Sequence, residues 1–210
     1  MEKIAERPPT GRREARKQQR REAIVAIAAH SFLEHGYAGT SMSAIAAELG
    51  GSKGTLWSYF PSKEELFGAV IEERANAYQR DLESLLDAKR DLKTTLASFC
   101  RGLIEMLTSP DALALHRLIA GESGRFPEVG RIFHERAPAM TTPRIEAFLA
   151  EHMARGNLRQ VPPDMAAGAL IGLCLPPQQR AMWGLPTPDP ERIDLEARFV
   201  ADAFLRAFDP

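Results

Sequence analysis

The chain has 210 residues, 44% of them hydrophobic and 26% charged, with a formal net charge of -1. That length supports a well-buried core, and that balance is ordinary for a globular protein and excludes a collagenous or low-complexity chain. Residues 166–175 form the most apolar run, far short of the roughly 20 residues that span a bilayer. The first residues carry charges and prolines with no apolar leader, so the expected setting is the cytoplasm, away from membranes. The two cysteines, Cys100 and Cys174, lie far apart without metal-type spacing. They read as buried thiols of a reducing compartment.

The near-zero net charge hides a basic start. Arg7, Arg12, Arg13, Arg16, Lys17, Arg20 and Arg21 face only Glu14 and Glu22 in the same stretch, so residues 1–20 are expected to be a frayed basic arm. Ile24, Ile27, Ala28 and Phe32 then mark the apolar stripe of a first helix. It should end near His35, with Gly36 in the left-handed position. Ser41 can cap a second helix, buried along Met42, Ile45, Ala46 and Leu49 and stopped at Gly50. After Gly50-Gly51, Ser52 can cap a helix of barely two turns that ends before Pro61, with Leu56 and Phe60 facing inward.

Ser62-Lys63-Glu64-Glu65 reads as a capping box with Glu65 at its third position. It opens a long helix through Leu66, Phe67, Val70, Ile71, Arg74, Tyr78 and Leu85. Further helices are expected at 92–108, 111–121, 127–155, 163–175 and 191–208, with Pro138 and Pro143 breaking or kinking the third of these. Pro176-Pro177 should end the helix before it and re-aim residues 178–183, placing Trp183 over a pocket mouth or an interface. Residues 184–190 form the clearest loop. No strand alternation is visible, so the expected class is all-α.

Two short helices joined by a glycine turn inside a three-helix unit make a helix-turn-helix. A recognition helix needs one apolar side to sit on its neighbours, while its other side and its N-terminal residues meet base edges in the major groove. Gly54 allows close approach of the backbone, Thr55 offers a hydroxyl and a methyl, and Lys53 offers a donor. Trp57 and Tyr59 can lie against sugar and phosphate. Lys63 adds an ammonium to a helix start that already attracts anions.

Here a resemblance becomes specific. Phe32, Gly36-Tyr37, Thr40-Ser41-Met42-Ser43-Ala44-Ile45-Ala46 and the run from Gly50 to Lys63 are similar to the TetR family of bacterial transcriptional repressors. The pattern covers about residues 20–67. The resemblance implies DNA contacts from Ser41 and Ser43, from Lys53, Gly54, Thr55, Trp57 and Tyr59, and from Lys63. Three residues depart from the family pattern: Gly51 stands where an aliphatic residue is usual, Trp57 where tyrosine is commoner and Ser43 where arginine is frequent.

The resemblance also implies a division of labour. Residues 21–67 form the DNA-binding domain, and residues 68–210 a helical domain that holds a ligand and the dimer surface. Candidate pocket walls are Phe99, Leu103, Met106, Leu107, His116, Ile119, Phe133, Met140, Phe148 and Cys174, although the same residues also read as plain core. Candidate dimer contacts are Ala167, Leu170, Ile171, Phe199, Val200, Ala203 and Phe204, forming an intermolecular four-helix bundle. The expected function is a homodimeric repressor bound to a palindromic double-stranded operator and released by a small, hydrophobic inducer. A regulator answering to a protein partner instead, or a helical enzyme or scaffold, are the competing readings. The scattered histidines show no metal spacing and no catalytic motif is present, so no cofactor and no enzymatic activity are expected.

Overall fold

The computed structural model describes residues 10–50, 53–86 and 90–210. Expectations placed on Arg7, Gly51 and Ser52, and on the side chains of Arg12, Lys53 and Tyr78, lie outside the described residues. The described residues form eleven helices and no strand. The chain divides into two compact units between Val70 and Ile71.

The first unit contains α1 (Thr10–Gly39), α2 (Met42–Glu48), α3 (Lys53–Tyr59) and the start of α4 (Lys63–Leu85). The basic stretch from Thr10 onward is helical, which corrects the frayed arm over residues 10–20. Its Arg, Lys, Gln, Glu and Ala residues are strong helix formers, and Gln18 donates to Glu22 one turn on, at 2.9 Å. Residues 13–19 are nonetheless exposed on every side, so this part of the helix rests on no core.

Packing begins at Ile24, Val25, Ala28 and Phe32, all buried. The rings of Phe32 and Tyr37 each meet Phe67 edge-on, at 5.0 and 5.2 Å between centroids. Gly36 breaks the helical path at φ 74°, as its glycine identity allows. The buried Thr40 hydroxyl lies 2.9 Å from both the Ser31 and Gly36 carbonyls, pinning the turn into α2. Ser41 then caps α2, its hydroxyl accepting from the Ala44 N–H at 3.1 Å. Gly50 takes φ 65° at the end of α2, with open space where a side chain would stand. Gly50→Ala is therefore expected to cost about 1–2 kcal/mol from backbone conformation alone, read as a lowered urea midpoint with an unchanged slope.

The second unit holds the rest of α4 with α5 (Leu92–Leu107), α6 (Pro110–Glu122), α7 (Pro127–Arg136), α8 (Pro138–Ala154), α9 (Pro163–Cys174), α10 (Pro176–Met182) and α11 (Pro190–Ala207). Every helix from α6 to α11 starts on a proline. A first-turn proline loses no hydrogen bond there and arrives with helical φ. Ser109 and Asp189 add side-chain caps to α6 and α11. The central helix α5 packs against α6, α9, α10 and α11, and the Arg101–Asp194 and Lys93–Asp202 ion pairs tie it to α11 at 2.9 and 2.6 Å.

Two boundaries differ from the sequence reading. The expected helix at 127–155 is two helices, divided at Ala137, whose φ of -128° and ψ of -78° leave the helical region just before Pro138. Pro143 lies inside α8 without ending it. Residues 176–182, expected only to change direction, form a helix of their own, because Pro176 both stops α9 and starts α10.

Candidate nucleic-acid interface and sensor core

In the first unit, α2 packs against both α1 and α3. Leu56 and Phe60 are buried, and they orient the short α3 so that Gly54, Trp57 and Ser58 face outward. Trp57 is 40% exposed, high for so large an apolar side chain. Thr55 and Tyr59 are half-buried, on the flanks of that outer face. Ser58 donates to the Thr55 carbonyl at 2.7 Å. Ser41 and Ser43 are exposed at the start of α2, whose first-turn N–H groups supply a positive end.

Lys63 opens α4 with its ammonium 4.2 Å from the centre of the Tyr37 ring, a cation–π contact. Ser62 caps α4 by accepting from the Glu65 N–H at 3.1 Å. The neighbouring Glu64 carboxyl is held below its ordinary range, first by its own backbone N–H, then by the Ser62 and Tyr37 hydroxyls. Arg21, on α1, lays its guanidinium over the Phe60 ring at 5.3 Å. Serine hydroxyls, helix starts and cations flanking a short outward helix suit a phosphate backbone with a base edge between its strands.

The second unit has an apolar core around Leu96, Phe99, Leu103, Phe148, Leu170 and Phe204. Of the expected pocket walls, Phe99, Leu103, Leu107, Phe148 and Cys174 are buried there, and Met106 packs against them. His116 and Ile119 are half-buried on α6, with the His116 ring edge-on to Phe133 at 5.2 Å. Met140 is the exception. It is 60% exposed, because α8 turns this residue outward, and it is dropped from the set.

The expected dimer residues divide. Ala167, Leu170, Val200 and Phe204 are buried in this chain's own core, which takes them out of any surface offered to a second copy. Ile171 and Ala203 are half-buried, and Phe199 is 71% exposed. The exposed apolar side chains on the adjacent helices α9 and α11 are instead Met165, Leu173, Leu195 and Phe199. Trp183 is 77% exposed.

Four features escaped the sequence reading. Cys100 and Cys174 are free thiols in contact, and the Cys174 thiol is pushed up by its hydrogen bond with Cys100 and then by burial. The other three are buried polar atoms without a partner: Thr95 Oγ1, His152 Nε2 and Gln178 Nε2. Gln178 is buried on α10 with Pro177 and Ala181, so a polar group sits where an apolar one is expected.

His152 is better defined. The Asn157 amide nitrogen, which can only donate, lies 3.1 Å from its Nδ1. Nδ1 therefore accepts, and Nε2 carries the proton of the neutral ring. Burial, followed by the nearby Arg155, pushes the imidazole down and keeps it neutral. His116 has the opposite tautomer, because Nδ1 must donate to the Ala112 carbonyl at 2.7 Å. Burial lowers that imidazole too.

A three-helix head with an exposed recognition helix, followed by a separate helical unit, defines a helix-turn-helix transcriptional regulator. Residues 24–70 match the bacterial regulatory proteins, tetR family, and residues 94–210 match the AefR-like transcriptional repressor, C-terminal domain. The chain belongs to the TetR family, with an AefR-like C-terminal domain. It is 32% identical to the HTH-type transcriptional repressor DhaR of Mycobacterium sp. (strain GP1), over 72% of this chain and 76% of that one. It is 27% identical to the HTH-type transcriptional repressor ComR of Escherichia coli (strain K12), over 66% and 67%. Among solved structures, the flavonoid-responsive regulator FrrA matches with a TM-score of 0.82 and 34% identity, over 92% of this chain and 98% of that one. A TetR-family regulator from Mesorhizobium loti matches with a TM-score of 0.80 and 28% identity, over 93% and 99%. The chain is a DNA-binding transcriptional repressor of a non-enzymatic family. Among the described residues, no helix is long and apolar enough to cross a membrane.

Proposed function

We propose that two copies of this chain bind a palindromic operator and leave it when a small, largely apolar molecule enters the second unit, acting in the cytoplasm. The two-fold axis of the dimer would present one α3 to each of two successive major grooves. Ser41, Ser43, Lys53, Gly54, Thr55, Trp57, Tyr59 and Lys63 make the contacts in this reading. Met165, Leu173, Leu195 and Phe199, with Ile171 and Ala203 beside them, form the surface between copies. Gly168 and Gly172 have open space around them, which lets a partner helix come close.

The observation that carries the sensor is the set of buried polar atoms left without partners in an apolar core. A buried polar group that nothing meets costs about 1–3 kcal/mol, and a ligand with hydrogen-bonding atoms would offset that cost. The likeness to a regulator named as flavonoid-responsive supports an aromatic, hydrophobic inducer. Helix α4 runs through the division between the units and is the covalent route from one to the other. Within the second unit, Arg74–Asp111 and Glu72–Arg136 ion pairs at 2.8 and 3.5 Å tie α4 to α6 and α7, the helices that carry His116 and Phe133.

The test is a gel shift with the DNA upstream of this chain's own gene, and with fragments the protein selects from a random pool, against a panel of apolar aromatic compounds. Release of a specific complex by one class of compound supports the reading. A specific complex that none of them releases removes the inducer and leaves the repressor. Lys63→Ala is expected to weaken binding to all sequences alike. It should lower the log-affinity against log-salt slope by about 0.9 for each lost phosphate contact, hence about 1.8 for a dimer. An unchanged slope would remove Lys63 from the interface.

A further inference from the structure

The chemistry of the unpartnered groups narrows what the second unit can hold, provided that unit is the sensor proposed above. Its buried polar residues among those described are Thr95, Thr108, His152 and Gln178, with no lysine, arginine, aspartate or glutamate. A charged ligand enclosed there would have no fully buried countercharge beside it, and an uncompensated buried charge is far costlier than an unpaired neutral group. The Thr108 hydroxyl already donates to the Ile104 carbonyl at 2.7 Å. The three atoms without partners are a hydroxyl, a ring N–H and an amide N–H. All three can donate, and the two nitrogens can do nothing else.

Gln178 is the best placed of them. It lies on α10, which packs against α5, α6 and α9. Those helices carry Leu103, Met106 and Leu107, then His116 and Ile119, then Cys174. Arg117 donates to the Ala181 carbonyl at 2.7 Å and fastens α6 to α10 one turn beyond Gln178. On α10's other side, the Arg180–Glu196 ion pair at 2.7 Å fastens it to α11. The amide is held on a short helix braced from two sides, so it cannot easily swing out to water.

We propose that the second unit binds a neutral, mostly apolar molecule bearing a carbonyl or similar acceptor oxygen, and that the Gln178 amide receives that oxygen and sets the specificity. His116, whose Nε2 keeps a lone pair in the neutral ring, can accept a hydrogen bond from a hydroxyl of the same molecule.

The experiment uses the full chain and matched probes. Benzophenone is compared with diphenylmethane and xanthone with xanthene, each pair differing by one carbonyl. Naphthoate and a benzyltrimethylammonium salt represent the charged classes. Binding is followed by melting temperature and by release of selected DNA. The ketones should bind about ten-fold tighter than their carbonyl-free partners. That discrimination should vanish in Gln178→Leu and Gln178→Met, which should melt at or above the parent temperature because an unpaired donor has gone.

Equal binding of both members of each pair, or discrimination that survives in both variants, overturns the proposal. So does failure of the ketones to bind. Release of DNA by a charged probe alone would overturn the ligand class while leaving the sensor standing. DNA binding that no probe affects would count against the sensor as well.

Discussion

Phe199→Glu is expected to convert the protein from dimer to monomer in sedimentation and to weaken binding to a two-half-site operator by at least about a hundred-fold. Affinity for an isolated half-site should be unchanged. Phe199 is 71% exposed in the single chain, so a carboxylate there disturbs no internal packing. Its cost falls on a surface where a second copy would bury it without a counterion. The neighbouring residue gives the control. Val200 is buried in the core, so Val200→Ala should lower stability by about 1.5–3 kcal/mol and leave the assembly dimeric. A dimeric Phe199→Glu protein would move the interface elsewhere.

Leu56→Ala should abolish operator binding by a different route. Leu56 is fully buried beneath α3, and truncating such a leucine costs about 2–5 kcal/mol. In a unit of this size that is a large part of the total stability. The second unit has its own core, so it should keep its helical signal and its oligomeric state. Calorimetry should show an early transition split from the main one. A single transition lowered as a whole would mean that the two units melt together.

The head was legible because its signals are local. Ser41, Gly50, Ser62 and the Leu56–Phe60 spacing each act within one turn of the chain, and the structure places each where those rules put it. At the start of α4 the Ser62 hydroxyl accepts from the Glu65 N–H, and the Glu64 carboxylate is held by its own backbone N–H and the Ser62 hydroxyl. The second unit's helices were legible for similar reasons, given a proline at nearly every start. What α9 and α11 face was not. Helix α9 is apolar around its whole circumference, from Met165 to Cys174, so periodicity names no inner side. Ala167 and Leu170 therefore read as well outward as inward, and only packing against α8 and α11 decides. The Cys100–Cys174 contact was hidden because it joins helices far apart in sequence.

The helical run from Thr10 limits how the basic end can approach DNA. A flexible arm can thread into the minor groove and sense its width. An α-helix with its side chains is about 10–12 Å across, whereas the minor groove of B-form DNA is about 6 Å wide. Arg13, Arg16 and Lys17, carried on such a rod, are confined to phosphates along the groove edges or to the major groove. In the binding proposed above they would add affinity and salt dependence at every site, without telling an A·T tract from any other sequence by entering it.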